Sequence, residues 1–587
     1  MGVSDTVKAL EVLAKVPINY LVGSTKDRVV YLSNEGGMYT LWSLDTSNGS
    51  RHRVTNGPVA LPEHVALPRH DTNNVFYIKD TAKGRELHLL YRADSVRGDE
   101  SVAVDMSPMR IEGLGMWGGE VAFTGSTKDE IAIYAAKSGR IERRAKFDTY
   151  AFVTDFNGAF IVGAGTLAKN PRSQELFIFD TATGGLNQFT PRPGSVNKPA
   201  FLNGPKVLFE SDCTGKNELH VHNIETGETE RVPMGSQDHD SYGAIEHQYY
   251  GWTDAGKVWC IGKREGEARA FVDGKEIPTP RGFLWGLAMS GGRVYVAHTT
   301  VAQPIRILEI EPESGRSKVI LDNPLPEDLG AKLGSGHFIR FVSFDGREIP
   351  ALVVDDGTGT PRRTVTLVHG GPWGEYLNSW GPIINSVVLG GYNVIAPNYR
   401  GSTGYGEEFR TLDIGDPGGG DLQDIAASAR WALKNGIATE VAIVGYSYGG
   451  YSTLLALGKE PELWACGVAG APIADWKQMY ELSDAVYRQF AEVLFGQKLE
   501  LFDERSPITY VKNVTRPVCI LSSQNDSRTP LPPVLRYVTN LQDQGGTFEL
   551  HVVPDMGHLM VTTQDMMDIV YPMVAFLHKR FPPTEKS

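Results

Sequence analysis

The chain has 587 residues, of which 41% are hydrophobic, so it is long enough for two or more globular domains with apolar cores. Its formal net charge is -13, and no dense block of lysine and arginine stands out. This balance disfavours a nucleic-acid partner, because a protein needs clustered positive charge to bind the phosphate backbone of a nucleic acid.

The N-terminal segment MGVSDTVKALEVLAKVP has charges throughout, and it lacks the apolar centre and cleavage site of a secretory signal. No run of about 18 apolar residues occurs in the sequence, so no membrane span or membrane partner is predicted. The four cysteines match neither a disulfide framework nor metal-ligand spacing; they are Cys213, Cys260, Cys466 and Cys519. We therefore expect a cytoplasmic protein without a metal or organic cofactor.

The first predicted element is an amphipathic helix in the segment SDTVKALEVLAKVP. Helical spacing places Val7, Leu10, Leu13 and Ala14 on one apolar face, which needs a surface to pack against. We expect residues 1–20 to form a helix that docks on the C-terminal domain.

Seven similar units follow between residues 29 and 321, each with short β-rich runs separated by polar or glycine-containing turns. They begin at Val29, Val75, Val121, Phe160, Val207, Val258 and Val294. Their spacing is close to the 40 to 50 residues typical of four-stranded propeller blades, so residues 21–324 are predicted to form a seven-bladed β-propeller. A β-sandwich with repeated hairpins is the alternative, but it would normally end after far fewer residues.

The pattern changes after Asp322, where a Pro/Gly-rich stretch leads into two alternating runs around Asp345 and Gly346, a hairpin signal. Apolar strands then alternate with helical stretches; the strands are TVTLVHG, NVIAPNYR, VAIVGYS, ACGVAGA, VCILSSQND and TFELHVVPD. Buried strands that alternate with helices predict a mostly parallel, doubly wound sheet, so residues 325–587 are expected to form an α/β-hydrolase domain.

Ser447 lies in the motif GYSYGG, between an apolar strand and a helix-forming segment. A GxSxG match alone is a weak signal in a chain with 65 glycines, and a small residue in a tight turn would also fit. The strand, turn and helix around Ser447 are the context of a nucleophile elbow. Gly445, Gly449 and Gly450 suit the strained turn and close helix-strand contact that such an elbow requires.

A serine nucleophile needs a base, and the base needs an acid that fixes its tautomer. Asp526 follows the strand VCILSSQN, and His558 follows the strand TFELHVV, in the order expected of an α/β-hydrolase. Both loops leave the carboxyl end of the sheet, beside the elbow. Asp555, His551 and His369 are weaker candidates: Asp555 precedes His558 so closely that a turn role fits it better, His551 lies within a strand, and His369 suits a structural role.

Catalysis of acyl transfer also needs hydrogen-bond donors for the negative oxygen of the intermediate. The glycine-rich loop HGGPWG follows the strand TVTLV, and the residue after the nucleophile is Tyr448. We expect the amides of Gly371 and Tyr448 to form this oxyanion hole. A tight turn without a catalytic role is the alternative explanation of HGGP.

The segments HGGPWG, NYRGSTGYGEEF, GYSYGGY, QNDSRTP and DMGH, with the N-terminal helix and the propeller, resemble the prolyl oligopeptidase family. Within this family the sequence is most similar to the acylaminoacyl-peptidase branch, and the likeness extends over nearly the whole chain. The resemblance implies a serine peptidase that removes N-acylated residues from short peptides, with esterase activity as well. It also implies a propeller that excludes folded proteins, and assembly into a homo-oligomer.

Carried over to this chain, the resemblance makes Ser447 the nucleophile, Asp526 the acid and His558 the base, with Gly371 and Tyr448 as oxyanion donors. It also links Arg528 to binding of a substrate or product carboxylate, although a structural salt bridge is an equal alternative for that residue.

The segment from residue 471 to 490 matches the family's pocket for the acylated residue. The implied apolar wall consists of Ile473, Trp476, Tyr487 and Phe490, although aromatic residues at helical spacing are more often ordinary core. The wall contains no acidic residue, which disfavours a pocket for basic side chains.

Two other functions remain open at the level of sequence. A carboxylesterase or amidase acting on small esters or metabolites would use the same triad. A propeller scaffold without catalytic activity is the alternative from another class, because fold does not determine function. A dipeptidyl peptidase is less well supported: we find no paired-glutamate motif in the propeller, and the pair Glu407 and Glu408 lies in the hydrolase domain.

Overall fold

A computed structural model describes residues 3–25, 27–67, 73–137, 139–199, 201–234 and 249–584. The ends of the predicted domain ranges, residues 1–2 and 585–587, lie outside the described residues. The chain begins with helix α1 (Val3–Lys15).

Seven four-stranded antiparallel sheets follow, and they confirm the predicted seven-bladed propeller. The first three blades contain β1 (Asn19–Thr25), β2 (Arg28–Ser33), β3 (Thr40–Asp45) and β4 (Arg51–Arg53); β5 (Val65–Ala66), β6 (Asn74–Asp80), β7 (His88–Asp94) and β8 (Ser101–Val102); and β9 (Arg110–Trp117), β10 (Glu120–Ser126), β11 (Ile131–Lys137) and β12 (Arg140–Phe147). Each repeat recognised in the sequence begins at the second strand of a blade, because that strand is the most apolar and the most buried.

The other four blades contain β13 (Ala151–Phe156), β14 (Phe160–Gly165), β15 (Glu175–Asp180) and β16 (Leu186–Phe189); β17 (Phe201–Asn203), β18 (Lys206–Ser211), β19 (Glu218–Asn223) and β20 (Thr229–Arg231); β21 (Tyr250–Trp252), β22 (Val258–Arg264), β23 (Glu267–Val272) and β24 (Lys275–Ile277); and β25 (Phe283–Ser290), β26 (Arg293–Thr300), β27 (Gln303–Ile310) and β28 (Ser317–Leu321). The first strands of successive blades contact one another, as β9 contacts β13 and β1 contacts β25. These first strands therefore surround the centre of the propeller.

The C-terminal domain contains one eight-stranded sheet in the order β29, β30, β32, β31, β33, β34, β35, β36. Its strands are β29 (Ser335–Val342), β30 (Glu348–Asp355), β31 (Arg362–Val368), β32 (Asn393–Pro397), β33 (Ala438–Tyr446), β34 (Gly467–Gly470), β35 (Val518–Ser523) and β36 (Phe548–Val553). The six strands β31 to β36 pair in parallel. The other two, β29 and β30, form the predicted hairpin, and β30 pairs with β32 in the antiparallel direction. The α/β-hydrolase prediction is therefore confirmed.

Helices cover both faces of this sheet. They are α2 (Glu327–Gly330), α3 (Pro382–Leu389), α4 (Glu407–Arg410), α5 (Gly420–Lys434), α6 (Tyr448–Lys459), α7 (Trp476–Leu482), α8 (Ala485–Leu494), α9 (Phe502–Arg505), α10 (Leu531–Asp543) and α11 (Thr563–Arg580). One apolar core joins α1, the first and last blades, and the face of the sheet covered by α3 and α11. A second core lies on the opposite face of the sheet, which α5 and α6 cover. The two domains are thus packed together on one side through a shared core.

Helix α1 packs on α3 and α11 of the hydrolase domain, as expected from its apolar face. Leu10, Leu13 and Ala14 are buried, but Val7 is 40% exposed, so its assignment to the buried face is wrong. The buried face continues through Thr6 instead, which is 2% exposed. A residue one position further along a helix is rotated by about 100°, and this rotation turns Val7 outward.

Candidate active site

The turn between β33 and α6 holds Ser447 in a strained backbone conformation, with φ 60° and ψ -120°. Positive φ at a residue with a side chain costs about 1–3 kcal/mol and persists only where the surroundings enforce it. Here the amide of Ser447 donates to the carbonyl of Gly470 (2.9 Å), which ties the turn to the neighbouring strand. The predicted strand, turn and helix are present, and they place Ser447 at the carboxyl end of the sheet.

The glycines around Ser447 are required by close backbone contacts. A Cβ atom on Gly445 would collide with the backbone of Gly449, and one on Gly449 would collide with the carbonyl of Val368. A Cβ atom on Gly450 would collide with the carbonyl of Gly470. Helix α6 therefore starts in direct backbone contact with the sheet, which confirms the reason inferred for these glycines.

The structure brings Ser447, His558 and Asp526 together. The distance from Nε2 of His558 to Oγ of Ser447 is 2.9 Å, and that from Nδ1 of His558 to Oδ2 of Asp526 is 2.7 Å. Asp526 and His558 are 6% and 7% exposed. This geometry allows the histidine to remove the serine proton while the carboxylate fixes the tautomer of the ring.

The acid and histidine loops leave adjacent parallel strands, β35 and β36, and are held by further hydrogen bonds. Oδ1 of Asp526 accepts from the amides of Arg528 and Thr529, both at 2.8 Å. The hydroxyl of Tyr446 donates to the carbonyl of His558 (2.9 Å). Tyr446 immediately precedes the nucleophile, so one short segment positions both the serine and the histidine loop.

The two predicted oxyanion donors lie on segments that adjoin Ser447. Tyr448 is the first residue of α6, so its amide has no acceptor within the helix. Gly371 has φ 120°, which L side chains rarely adopt. The loop that carries it is close to the nucleophile, since a Cβ atom on Gly370 would lie 3.2 Å from Cβ of Ser447.

His369 holds the loop that carries Gly371 in place, in agreement with the structural role expected for this histidine. It is buried; its Nδ1 lies 2.8 Å from the carbonyl oxygen of Gly370, and its Nε2 lies 2.8 Å from Oγ of Ser402. Its ring stacks on Tyr399, with centroids 4.2 Å apart. Burial lowers the pKa of His369 to about 4, so the ring is neutral at physiological pH.

The side chain of Tyr448 has a partner of its own in the core. Its hydroxyl donates to Oδ2 of Asp421 (2.6 Å), a carboxylate that also accepts from the amides of Gly418 and Leu422. Burial raises the pKa of Asp421 to about 6, although these hydrogen bonds oppose the shift. The Tyr448 hydroxyl thus anchors the first turn of α6 against α5.

Arg528 forms a salt bridge with Glu86 of the propeller, which is the structural alternative considered for it. Its Nε lies 3.0 and 2.9 Å from the two carboxylate oxygens of Glu86. Burial alone would raise the pKa of Glu86, but the charges of Arg528 and Arg110 outweigh it and hold the pKa well below its usual range. The side chain of Arg528 remains 23% exposed, so its role toward a substrate stays a prediction.

The four predicted wall residues separate into two groups. Trp476 is 0% exposed and Ile473 is 5% exposed, both within the hydrolase core, and their assignment to a pocket wall stays a prediction. Helix α7 turns Trp476 toward Tyr451, and the centroids of the two rings are 5.3 Å apart. Tyr487 and Phe490, on α8, are only partly buried and retain access to the space between the domains.

Sequence reasoning missed the propeller residues at this boundary, which include Glu86, Arg110 and Glu112. Arg110 donates from Nε to Oδ2 of Asp484 on the hydrolase side (2.6 Å). The segments RELHLL and MRIEGL, which carry these residues, match no motif. Their partners in the hydrolase domain lie hundreds of positions away in sequence, so no local pattern marks the pairs. A charged residue within an otherwise apolar blade strand was the only available signal.

Within the described ranges, no group of three or more His, Cys, Asp or Glu residues is arranged to hold a metal ion. None of the helices in the described part of the chain is long and apolar enough to cross a membrane. The four cysteines are free.

Comparison with known proteins identifies both domains. Residues 30–308 match the model of the N-terminal domain of acylamino-acid-releasing enzyme-like proteins, and residues 382–584 match that of the prolyl oligopeptidase family. The hydrolase part of the chain, residues 382–584, therefore matches the prolyl oligopeptidase family. The resemblance stated from the sequence motifs is thereby confirmed.

Relatives from two branches of the family match the chain. Acylamino-acid-releasing enzyme 1 of Oryza sativa subsp. japonica is 29% identical over 36% of this chain and 30% of its own length. Dipeptidyl aminopeptidase BIII of Pseudoxanthomonas mexicana is 32% identical over 35% of this chain and 31% of its own. The aligned part of the chain thus spans less than a third of these curated relatives.

A solved puromycin hydrolase structure is similar over nearly the whole length. It covers 98% of this chain and 96% of its own, with a TM-score of 0.84 and 18% sequence identity. At this level of identity the likeness supports the shared fold of propeller and hydrolase domain.

Proposed function

We propose that the protein is a serine peptidase that releases N-acylated amino acids from short peptides, with esterase activity in the same site. The observation that carries the proposal is the hydrogen-bonded arrangement of Ser447, His558 and Asp526. The amides of Gly371 and Tyr448 are the proposed oxyanion donors. The matches to acylamino-acid-releasing enzymes support the choice of substrate class.

The reaction begins when Oγ of Ser447 attacks the carbonyl carbon of the scissile bond and its proton passes to Nε2 of His558. The negative charge that develops on the carbonyl oxygen is stabilised by the two amides, each worth about 3 kcal/mol of barrier. The imidazolium, stabilised by Asp526, then gives its proton to the leaving amine, and an acyl-enzyme remains. A water molecule, deprotonated by His558, attacks this ester and releases the acylated amino acid.

The limit to short substrates is supported by the contacts between the domains. Besides the shared core on one side, buried salt bridges join them elsewhere: Lys198 lies 2.7 Å from Glu407, and Lys263 pairs with Glu375. These propeller residues and their hydrolase partners are mostly buried, so the two domains are held closely together. A folded protein would have to break these contacts to reach Ser447.

A substrate panel tests the proposal. N-acetyl-alanyl-p-nitroanilide, alanyl-p-nitroanilide, p-nitrophenyl acetate and a folded globular protein are each incubated with the purified protein, with Ser447→Ala as control for contaminating activity. We expect the acetylated anilide and the ester to be hydrolysed and the folded globular protein to remain uncleaved. Turnover of the ester alone would favour the carboxylesterase, and turnover of none of them would favour the scaffold.

Two further proposals concern the location and the assembly of the protein. A cytoplasmic location is supported by the four free cysteines, since thiols persist in reducing compartments. Assembly into a homo-oligomer is supported by the family resemblance, and light scattering of the purified protein tests it.

A further inference from the structure

Two carboxyl groups are buried in the hydrolase core next to the segments that carry the proposed oxyanion donors. They belong to Asp413 and Asp421, the two ends of the segment DIGDPGGGD, and each residue is 1% exposed; we call them the acid pair. Burying an acid costs free energy unless hydrogen bonds or a cation compensate it, so such acids are concentrated at functional sites. The contacts of the acid pair lead to both donor segments.

Asp421 holds the segment that carries one of the donors. Its Oδ2 accepts from the hydroxyl of Tyr448 (2.6 Å) and from the amide of Gly418 (3.1 Å), and its Oδ1 accepts from the amide of Leu422 (2.8 Å). The phenol and the proposed donor amide belong to the same residue, Tyr448. A carboxylate that fixes the phenol therefore also restricts the direction of the amide.

Asp413 holds the segment that carries the other donor. Its Oδ1 accepts from the indole Nε1 of Trp373 (3.3 Å), and Trp373 follows Gly371 by two positions in the loop HGGPWG. Two further contacts fix the indole: the guanidinium of Arg410 lies 5.5 Å from its ring, and the ring of Phe490 lies 5.6 Å from it. The loop that carries Gly371 is thus tied to the core through Asp413.

Stacked rings join the two donor segments to each other. His369, at the start of the glycine-rich loop, stacks on Tyr399, and Tyr399 stacks on Tyr448 with centroids 6.4 Å apart. The hydroxyl of Tyr399 also donates to the carbonyl of His369 (2.9 Å). The loop and the first turn of α6 are therefore packed as one unit, and the acid pair holds this unit at both of its ends.

Glycines make room for this packing. A Cβ atom on Gly401, which has φ 100°, would lie 2.5 Å from Oδ2 of Asp413. A Cβ atom on Gly418, which has φ 70°, would collide with the hydroxyl of Tyr451. The motif NYRGSTGYGEEF contains Gly401, and the segment DIGDPGGGD contains Gly418. The packing around the acid pair thus accounts for a glycine in each of these segments.

The two acids differ in charge at neutral pH. Oδ2 of Asp413 is buried and has no hydrogen-bond partner among the described residues. Burial and the charge of Asp421 raise the pKa of Asp413 well above its usual range, although Arg410 opposes the shift. Burial raises the pKa of Asp421 to about 6, against the opposing effect of its hydrogen bonds. At pH 7 Asp413 is thus a neutral acid, and Asp421 is a carboxylate that forms a charge-assisted hydrogen bond with Tyr448.

We propose that Asp413 and Asp421 are positioning residues for the oxyanion hole, each holding one of its two donor segments. The inference rests on the proposed function and deepens it, because it names the residues that set the donor geometry. Both acids are buried and act through Trp373 and Tyr448. The negative oxygen forms only as the reaction proceeds, so misplaced donors should reduce kcat more than substrate binding.

Affinity for a tetrahedral adduct tests the inference without turnover. The probe is 1-acetamidoethylboronic acid, the boronic counterpart of N-acetylalanine, titrated by calorimetry into the wild-type protein and its variants. Oγ of Ser447 adds to boron, the serine proton passes to His558, and a boronate hydroxyl takes the place of the negative oxygen. We expect Asp421→Asn and Asp413→Ala each to weaken this binding by about tenfold. Each should lower kcat for the acetylated anilide by about the same factor, with KM changed by less than about twofold.

Conservative and double variants separate positioning from general damage to the core. Asp413→Asn is neutral and keeps an acceptor for the indole, so it should recover most of the affinity lost in Asp413→Ala. Asp421→Asn combined with Tyr448→Phe should lose no more than the larger single loss, since both changes affect one hydrogen bond. If Asp413→Ala does not fold, Trp373→Phe removes the same hydrogen bond and carries the same expectation.

Asp416→Asn is the matched control from the same segment. Its side chain is 45% exposed and pairs with Arg505 (3.0 Å). We expect it to change the boronate affinity by less than about twofold.

Four results would overturn the inference. They are unchanged boronate affinity in both Asp421→Asn and Asp413→Ala, equal losses in Asp413→Asn and Asp413→Ala, additive losses in the double variant, and no binding of the boronic acid to the wild-type protein. A protein that binds the boronic acid but hydrolyses neither the anilide nor the ester would refute the proposed function. The boronate affinities of the variants would still decide the role of the acid pair in that case.

Discussion

The triad and the ion pairs at the domain boundary are neighbours, yet they are built in opposite ways. We call Glu86 and Arg110 of the propeller, with Asp484 and Arg528 of the hydrolase domain, the charge cluster. The triad comes from three loops at one end of a single sheet, and its hydrogen bonds of 2.9 and 2.7 Å lie within the hydrolase domain. The charge cluster takes side chains from both domains, and Arg110 and Arg528 each bind a carboxylate across the boundary. The catalytic groups therefore come from one domain, whereas the charge cluster exists only where the two domains meet.

Ser447→Ala should have the largest effect. It removes the nucleophile of the triad and should leave the charge cluster unchanged. We expect kcat to fall by about a millionfold, because the substitution removes the hydroxyl that lies 2.9 Å from Nε2 of His558. Steady-state kinetics with the acetylated anilide measure the loss. An unchanged melting temperature would show that the charge cluster and the domain contacts remain intact.

Asp526→Asn should cost about ten-thousandfold in kcat, because an amide cannot enforce the imidazole tautomer that the carboxylate stabilises. Asn retains one oxygen for the amides of Arg528 and Thr529, so KM should change much less than kcat. A large rise in KM with little loss of kcat would instead assign Asp526 to substrate binding.

These two residues were found from sequence because the elbow, the acid loop and the histidine loop are local motifs in a fixed order. The seven blades were equally visible, since the most buried strand of each blade recurs at a regular interval. The charge cluster was not predictable, because Glu86 and Arg528 are paired only by the docking of two domains. The depth at which Trp476 is buried was not predictable for a related reason: helical spacing reveals an apolar face but not which neighbour covers it.

Glu86→Gln tests the charge cluster directly, since it leaves two arginines without their shared partner. Breaking a buried ion pair costs about 3–5 kcal/mol, and we expect the free energy of unfolding at pH 7 to fall by that amount. The depressed pKa of Glu86 means that its contribution is complete above the ordinary glutamate pKa of about 4.3 and is lost as the pH falls below it.

Chemical denaturation at pH 7 and at pH 3.5 measures this effect, with Glu120→Gln as the control for loss of one propeller carboxylate. The difference between wild type and Glu86→Gln should shrink on acidification. A difference that is independent of pH would contradict an ionic role for Glu86.

Tyr448→Phe should have the smallest effect. It tests whether the hydrogen bond that anchors α6 contributes to catalysis by the triad. The oxyanion amide is kept, but Asp421 loses a hydrogen bond of 2.6 Å, and we expect roughly a tenfold lower kcat with little change in KM. Tyr451→Phe is the matched control on the same helix, because its hydroxyl donates to the carbonyl of Arg505, away from the site. Equal losses in both variants would indicate general destabilisation of α6.

The central claim is that Ser447 is a nucleophile activated by His558. Reaction of the folded protein with a fluorophosphonate probe, followed by mass spectrometry of its peptides, tests it most directly. We predict a single modified residue, Ser447, and strongly slowed labelling in His558→Ala. An unmodified Ser447, or equally fast labelling in the absence of the histidine, would contradict the account.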